Sequence, residues 1–390
     1  MRNWSKSGWG TLRTFLIKTL WRGPLTEFWL RWKSAKLTAL YHKLLVRSGQ
    51  NRTLKTNHSP SASKDKLKRL LFICDAMWEK RELLPELEKI AEVTFYDVHS
   101  QTARNAETSS LNLATDRVIE EIGRFRETSF DALIVYLRGT MLSKDFVRFL
   151  RQTWHCPLIG INLDCKTEFE DYGIFRGHPV NYRQWAGLFD CNLTNAKAMV
   201  DVYSAEGFPV LYLPTGYHYQ PAIHKRRNEK PFDIGMSFVG SCKPERKALV
   251  QKLIDLGIDV KVFGGGWNGQ EFIREAWSIY QRSQLNLGIG YNLPGERTTN
   301  LKNRDFECPG SGACYLTTYD WELANLFEIG KEILCYRSID DLVEIYSYYI
   351  RRPEECLRIG GLGFDRCLRE HTWEQRFRKV FQELGFRLTQ

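Results

Sequence analysis

The feature that most constrains the fold is an alternation of short apolar runs with helical patterns, which begins near residue 67. In the first half of the chain the apolar runs are KRLLFIC, VTFYDVH, DALIVYL, LIGINLD, CNLT and VLYLP. Continuous apolar runs joined by amphipathic stretches are typical of parallel strands with helical crossovers. This half therefore predicts an open α/β sheet over residues 67–218.

The same pattern begins again after the polar, Pro-bounded segment QPAIHKRRNEKP. The predicted strands are DIGMSFVG, DVKVFGG, QLNLGIG, residues 313–318 and ILCYRS, and three helices close the chain. With 390 residues, 43% of them hydrophobic, the chain can form two such domains. We predict a second α/β domain over residues 219–390. Ligands are expected in the cleft between the domains, at the carboxyl ends of the strands.

The positive charge of the chain is concentrated at its N-terminus. Residues 1–69 hold 16 Lys or Arg and 2 acidic residues, whereas the other 321 residues hold 40 basic and 44 acidic ones. Two stretches, 8–22 and 26–47, place apolar residues on one helical face beside basic residues and tryptophans. Such a helix can lie in an anionic membrane surface, although its apolar runs are too short to span a bilayer.

We therefore predict that residues 1–47 bind an anionic membrane surface, within an N-terminal segment and linker over residues 1–66. Docking on the protein's own body and an organelle-targeting presequence are alternatives. Nucleic acid is an unlikely partner because no recognised binding motif accompanies the charge.

The ten cysteines show no zinc-ribbon spacing, and most lie in or beside predicted strands. This pattern favours buried thiols in a reducing compartment. Since no secretory signal is visible, we expect a cytoplasmic protein, peripheral at the inner face of a membrane if residues 1–47 bind one. No Asp-x-Asp motif follows a predicted strand, so we expect no catalytic metal and no cofactor.

The loop after strand DIGMSFVG is the first candidate binding site. Gly240 and Ser241 lie between a strand and a helix, and Arg246 adds positive charge at the start of that helix. Exposed N–H groups at a helix N-terminus suit a phosphate, but an ordinary Gly-Ser turn explains the pattern as well. The later run VFGGGWNG could approach a ligand closely, or could form a tight turn with Trp267 packed over it.

A second candidate lies just before the strand at residues 313–318. If residues 300–308 are helical, one face carries Asn300, either Asn303 or Arg304, and Glu307, with Lys302 nearby. A carboxylate that accepts from two vicinal ribose hydroxyls, near cations that meet a diphosphate, describes a nucleotide-sugar site. A solvated face of mutually paired charges describes the same residues equally well.

Asp164 ends strand LIGINLD in the first domain. A carboxylate at this edge could deprotonate an acceptor hydroxyl, which makes Asp164 our candidate catalytic residue, or it could simply cap the next helix. His218 lies in a loop and could also act as a base, although a lone loop histidine is more often a surface residue.

The C-terminal half resembles glycosyltransferases of the group 1 type. The motifs that carry the resemblance are RDFE, the small residues after it, ELANLFEIGKE, a helix turn with Pro-Glu, and HTWEQR. Their order is most similar to the spore-maturation CgeB-like branch. The match covers roughly residues 233–383, and YLPTGYHYQP resembles the interdomain segment before it.

The resemblance implies a GT-B fold, in which two Rossmann-like domains face a cleft and the C-terminal one binds the nucleotide-sugar donor. Glu307 falls on the family's ribose-contacting Glu, and Lys302 and Arg304 lie where cations would meet the diphosphate. The Gly240–Ser241 turn corresponds to the glycine loop of the donor domain. The residues from Pro309 to Gly312 are expected to let the backbone come close to a ligand.

One position departs from the family pattern. Many group 1 enzymes carry a second Glu eight residues before the one that corresponds to Glu307, and this chain has Thr299 there. The leading hypothesis is a metal-independent transfer of sugar from a nucleotide donor to an unidentified acceptor, which could be a glycan, a lipid or a protein. The alternative is a catalytically degenerate, membrane-associated scaffold that binds a glycan or a nucleotide.

Overall fold

The structure of the chain is a computed structural model. The residues that it describes are 66–75, 78–98, 111–137, 144–169, 174–175, 178–179, 181–224, 232–267, 273, 275–290 and 301–388. The predicted amphipathic segment over residues 1–47 lies outside this part of the chain.

The first domain is built on a six-stranded, fully parallel sheet with the order β2-β1-β3-β4-β7-β8. These strands are β1 (Arg69–Cys74), β2 (Glu92–Asp97), β3 (Ala132–Tyr136), β4 (Leu158–Asn162), β7 (Cys191–Thr194) and β8 (Val210–Tyr212). A two-stranded antiparallel pair, β5 (Ile174–Phe175) with β6 (His178–Pro179), lies apart from the sheet. The sequence did not reveal this pair, because two residues are too few to show an alternating pattern.

Helices connect the strands of the first domain. They are α1 (Glu79–Glu82), α2 (Leu84–Glu88), α3 (Leu111–Ile122), α4 (Lys144–Thr153), α5 (Cys165–Glu168), α6 (Arg183–Ala186) and α7 (Lys197–Ala205). Successive residues of β1 point to opposite faces of the sheet: Leu71 and Ile73 join one buried core, and Leu70 and Phe72 join the other. Burial on both faces explains why the strands read as continuous apolar runs.

The second domain repeats this architecture with a five-stranded parallel sheet in the order β10-β9-β11-β12-β13. The strands are β9 (Ile234–Val239), β10 (Val260–Phe263), β11 (Ser283–Leu287), β12 (Tyr315–Thr318) and β13 (Leu334–Tyr336). The helices are α8 (Pro244–Asp255), α9 (Ala276–Arg282), α10 (Arg304–Gly310), α11 (Trp321–Ala324), α12 (Ile339–Tyr349), α13 (Pro353–Glu370) and α14 (Trp373–Glu383). Every main-sheet strand predicted from the sequence is present, and the two-domain α/β fold is confirmed.

The last helix, α14, returns to the first domain. Its residues Trp373, Phe377 and Phe381 are buried in the same core as Leu70 and Phe72 of β1. The chain then continues to Arg387, whose carbonyl oxygen accepts a hydrogen bond of 2.9 Å from the backbone N–H of Leu67. The predicted division at residue 218 therefore separates the two sheets. It assigns α14 to the second domain, whereas the helix packs on the first.

The two domains also meet at the segment that joins them. The backbone N–H of Tyr217 donates to the carbonyl of His371 at 3.2 Å, and the N–H of Trp373 donates to the carbonyl of Tyr217 at 3.0 Å. A Cβ at Gly216 would lie 3.0 Å from the His371 carbonyl oxygen, so this segment passes very close to the chain that leads into α14. The predicted interdomain segment and the HTW motif are thus neighbours in space.

A buried carboxylate supplies a further bridge between the domains. Glu322, in α11 of the second domain, accepts hydrogen bonds from the Lys197 backbone N–H at 2.7 Å and the Tyr212 hydroxyl at 3.2 Å. It also pairs with Lys166 at 3.1 Å. Because Lys197 begins α7, the carboxylate lies at the positive end of a helix of the first domain.

All ten cysteines are free thiols, and seven of them are buried. Among the residues described, no helix is both long enough and apolar enough to cross a membrane.

Candidate functional site

The Gly240–Ser241 turn follows β9 at the carboxyl edge of the second sheet. The Gly240 backbone N–H donates to the Phe263 carbonyl at 2.8 Å, and the Trp267 indole N–H donates to the Gly240 carbonyl at 2.7 Å. A Cβ at Gly264 would lie 2.7 Å from the Gly240 carbonyl oxygen, so the close packing of the two turns requires a glycine at position 264. A Cβ at Gly240 would lie 2.8 Å from the Arg304 guanidinium. Trp267 is buried over them, as the tight-turn interpretation of VFGGGWNG predicted.

Arg246 folds back onto this turn from the first turn of α8. Its guanidinium donates to the carbonyl of Ser241 at 3.0 Å and to the hydroxyl at 3.2 Å. Burial, together with the nearby charge of Arg304, lowers the pKa of Arg246 to about 10. Its buried Nε has no hydrogen-bond partner in the part of the chain that is described. The structure therefore brings Ser241 and Arg246 together in a region rich in positive charge.

Arg304, at the start of α10, braces the carboxyl ends of two strands. Its guanidinium donates to the carbonyl oxygens of Val239 and Ile289, and its Nε donates to the Tyr315 hydroxyl at 3.4 Å. The guanidinium also lies 4.8 Å from the centre of the Phe238 ring. These contacts show a structural role, and direct contact between Arg304 and a diphosphate stays a prediction.

Lys302 precedes α10 and lies between charges of both signs. Burial lowers its pKa to about 8, and the positive charges of Arg246 and Lys243 act in the same direction. The carboxylates of Asp164 and Asp305 oppose this shift. Lys302 of the second domain therefore lies near Asp164 of the first, and the candidate catalytic carboxylate faces the candidate diphosphate site.

Asp164 comes directly before α5, but its side chain makes no capping hydrogen bond to that helix. The alternative that Asp164 serves mainly as a helix cap is therefore wrong. The backbone N–H of Asp164 donates to Oδ1 of Asn162 at 3.0 Å. The charge of its carboxylate acts on Lys302 across the cleft.

Glu307 lies in the middle of α10 and is the most unusual acid of the cleft. No hydrogen-bond partner for its carboxylate is present among the described residues. Withdrawal from water, together with the nearby carboxylate of Glu82, raises its pKa to about 7. A partly buried carboxylate that the protein leaves unsatisfied is a candidate ligand-binding group.

Two sequence-predicted positions cannot be placed beside Glu307, since Asn300 and Thr299 lie outside the described residues. The helix begins later than expected, at Arg304, with Asn303 at its N-cap position. Asn303 lies four residues before Glu307, on the same side of the helix start.

The sequence predicted that the small residues after Glu307 let the backbone approach a ligand. In the structure their close contacts are with other parts of the protein. A Cβ at Gly310 would lie 2.8 Å from the ring of Tyr217, and one at Gly360 of α13 would lie 2.5 Å from the Gly312 carbonyl oxygen. Pro309 contacts the same helix, 3.1 Å from where a Cβ of Gly363 would be. The expected close approach exists, but its partners are the interdomain segment and α13.

Three charged or titratable residues on the first-domain side of the cleft were not identified from the sequence, or were assigned to the surface. They are Glu82, Glu86 and His218. Glu86 is fully buried in α2 and accepts from His218 Nδ1 at 2.7 Å and from the Glu374 backbone N–H at 3.0 Å. His218 is therefore a fixed interdomain residue, and the surface interpretation is wrong. Glu82 in α1 faces Glu307, and nothing in the sequence around it distinguishes it from neighbouring surface acids.

Among the described residues there is no group of three or more His, Cys, Asp or Glu side chains that could hold a metal ion. Metal independence stays a prediction.

Comparison with known proteins places this site in a recognisable context. Residues 246–382 match the family described as glycosyl transferase-like. No curated protein sequence matches the chain significantly.

Two solved structures share the fold. Sucrose-phosphate synthase from Thermosynechococcus elongatus is 10% identical, with a TM-score of 0.54, over 81% of this chain and 98% of its own. HepE of Anabaena, solved with UDP and glucose, is 12% identical, with a TM-score of 0.55, over 82% of this chain and 99% of its own. The GT-B arrangement of two Rossmann-like domains is confirmed, and the family match together with the fold supports a glycosyltransferase.

Proposed function

We propose that this chain transfers a sugar from a nucleotide-sugar donor to an acceptor hydroxyl, with the donor held by the second domain. The observation that carries the proposal is the carboxylate of Glu307, which has no hydrogen-bond partner among the described residues and feels the positive charge of Arg304. Arg304 also acts on Arg246, which in turn acts on Lys302, so the acid and the cations belong to one charged region at the sheet edge. The match of residues 246–382 to a glycosyl transferase-like family supports it. The UDP and glucose in the HepE structure suggest UDP as the first nucleotide to try.

In this proposal each group has one task. Glu307 accepts hydrogen bonds from the ribose hydroxyls, while Lys302 and Arg246, with the exposed N-terminal turn of α8, bind the diphosphate. The same cations stabilise the negative charge that develops on the leaving diphosphate, so no metal ion is needed. Asp164 accepts the proton of the acceptor hydroxyl as that oxygen attacks the sugar.

The acceptor is proposed to be a glycan, a lipid or a protein. On its motif order we also propose that the chain belongs to the CgeB-like branch of group 1 transferases.

The direct test is a titration of the purified protein with UDP, GDP, ADP and CDP, monitored by calorimetry and by thermal unfolding. Binding of at least one nucleotide, with a rise in unfolding temperature, is expected because a ligand that binds only the folded state stabilises it. Absence of binding to all four nucleotides contradicts the proposal. Release of nucleoside diphosphate from the matching sugar donor separates an enzyme from a scaffold that only binds.

Nucleotide affinity is expected to be greatest between about pH 7 and pH 8. Glu307 must be ionised to accept hydrogen bonds, so affinity falls as the pH drops below its pKa of about 7. Lys302 must be protonated to bind phosphate, so affinity also falls as the pH rises above its pKa of about 8. Each limb approaches roughly a tenfold loss per pH unit, which calorimetric titration between pH 5.5 and pH 9.5 measures.

Two substitutions check the origin of these limbs. Lys302→Arg keeps its charge at high pH, so it should remove the alkaline limb and retain binding. Glu307→Gln should remove the acid limb and bind weakly throughout. An unchanged alkaline limb in Lys302→Arg would show that another group, or the nucleotide itself, titrates there.

For the N-terminal segment we propose peripheral binding to an anionic membrane, on the strength of its basic, amphipathic pattern. Full-length protein should co-sediment with vesicles that contain anionic lipid, and a variant that begins at Lys66 should stay in the supernatant. Since the attraction is partly electrostatic, added salt should reduce binding. Equal sedimentation of the two proteins would assign the membrane contact, if any, to the body of the protein.

A further inference from the structure

Two carboxylates from different domains face the same small region of the cleft. Asn303 and Glu307 are four residues apart, which places their side chains next to each other at the start of α10. The Asn303 amide nitrogen is 3.5 Å from Oε2 of Glu82, in α1 of the first domain. Glu82 is also the neighbour whose negative charge raises the pKa of Glu307. Both acids therefore lie close to the Asn303 side chain.

Neither carboxylate is fully satisfied within the protein. Glu82 pairs with the adjacent Arg81 at 2.9 Å, and its contact with Asn303 is at the long limit of a hydrogen bond. Glu307 has no hydrogen-bond partner among the described residues. Burial raises the pKa of Glu82 as well. Two like charges kept together in a partly dry cleft oppose folding, and this arrangement suits a ligand that brings hydrogen-bond donors.

The chemistry of the surroundings favours a neutral donor over a cation. Ionised carboxylates only accept hydrogen bonds, so the ligand must offer at least two N–H or O–H groups. Arg81 lies beside Glu82, and the positive charges of both Arg81 and Arg304 act on Glu307. Because these charges and the Asn303 amide already supply positive potential, a vicinal diol fits better than a metal ion. Each of its hydroxyls can donate to one carboxylate.

We infer that Glu82 is a second donor-binding residue, supplied by the first domain, and that Glu82 and Glu307 together hold the vicinal diol of the nucleotide ribose. This inference rests on the proposed function, in which Glu307 contacts the ribose. It adds a residue from the opposite domain to the donor site. A bound nucleotide would therefore link α1 of the first domain to α10 of the second.

The test compares UDP with 2′-deoxy-UDP, or the corresponding pair of whichever nucleotide binds. The wild-type protein should bind the ribonucleotide more tightly. Loss of one hydrogen bond to a charged acceptor changes affinity by about tenfold, so Glu82→Gln should reduce the ratio of the two affinities by about that factor. Glu88→Gln is the matched control, since Glu88 is an exposed acid of α2 outside the proposed site.

Thermal unfolding of Glu82→Gln confirms that the variant is folded, and no loss of stability is expected because the substitution removes a repulsive charge. An unchanged affinity ratio in folded Glu82→Gln, with nucleotide binding still lost in Glu307→Ala, overturns the inference and leaves the proposed function standing. Failure of the wild-type protein to bind any nucleotide overturns both.

A third measurement distinguishes the ribose from the transferred sugar, which also carries vicinal hydroxyls. The affinities of UDP and UDP-glucose are measured for both proteins. A similar loss for the two ligands in Glu82→Gln is the expected result. A loss confined to UDP-glucose would place the diol on the sugar and overturn the assignment to ribose.

Discussion

Glu307→Ala is expected to weaken nucleotide binding by at least about 100-fold while the protein stays folded. The wild-type carboxylate can accept two hydrogen bonds from adjacent hydroxyls, and each bond to a charged acceptor contributes about 1.5–3 kcal/mol. No protein group depends on this carboxylate among the described residues, so its removal leaves no partner unsatisfied. Isothermal titration calorimetry at pH 7.5 measures the effect. Glu344→Ala, which truncates an exposed acid of α12, is the control and should bind normally.

Glu307 should also make the stability of the ligand-free protein depend on pH. The folded protein holds the Glu307 proton more tightly than the unfolded chain does, since its pKa rises from 4.5 to about 7. Stability is therefore lost as the pH increases through this interval, and about 3 kcal/mol is lost once the carboxyl is fully ionised. Glu307→Gln should remove this loss and be more stable than the wild type at pH 8. For the binding experiment above, normal nucleotide affinity in Glu307→Ala would contradict the proposed contact between Glu307 and the nucleotide.

Trp373→Ala is expected to lower the free energy of unfolding by about 3–5 kcal/mol, the usual cost of truncating a large buried aromatic residue. Trp373 is fully buried at the start of α14, and its ring centre lies 6.2 Å from that of Trp78 and 5.9 Å from that of Phe377. Its backbone also bonds to Tyr217 in the interdomain segment. The substitution therefore weakens the contact that joins α14 to the first domain.

Denaturant unfolding monitored by circular dichroism gives this free energy. Trp321→Ala is the matched control, because 47% of the Trp321 surface is exposed, and it should change stability by less than about 0.5 kcal/mol. A loss below about 1 kcal/mol for Trp373→Ala would show that the core around α14 refills the space, and that α14 contributes little to the first domain.

The strands were predictable because parallel sheets covered on both faces leave a local signature. Every residue of β4 is buried, and its apolar run stands out without any knowledge of its neighbours. The return of α14 has no such signature. An amphipathic helix shows that it has an apolar face, but the domain that covers the face is decided by tertiary structure.

The candidate site likewise contains residues that the sequence could identify and one that it could not. Glu307 and Lys302 are close in sequence, and a resemblance in one stretch was enough to single them out. Glu82 lies more than two hundred residues away and acquires its meaning only because the fold places it opposite Glu307. For the glycines, the sequence predicted a close approach but not its partner. Gly310 and Gly360 do lie at close approaches, but the sequence does not show whether the neighbour of a glycine is a ligand or another helix.

The hydrogen bond between Leu67 and Arg387 brings the entry and the exit of the described body to one place, on the first domain. If residues 1–47 bind a membrane as proposed, the attachment reaches the described part of the protein through its first domain, because Leu67 is bonded there. The membrane surface would then lie on the side of the first domain, and the second domain, with Glu307, would be connected to it only through the first.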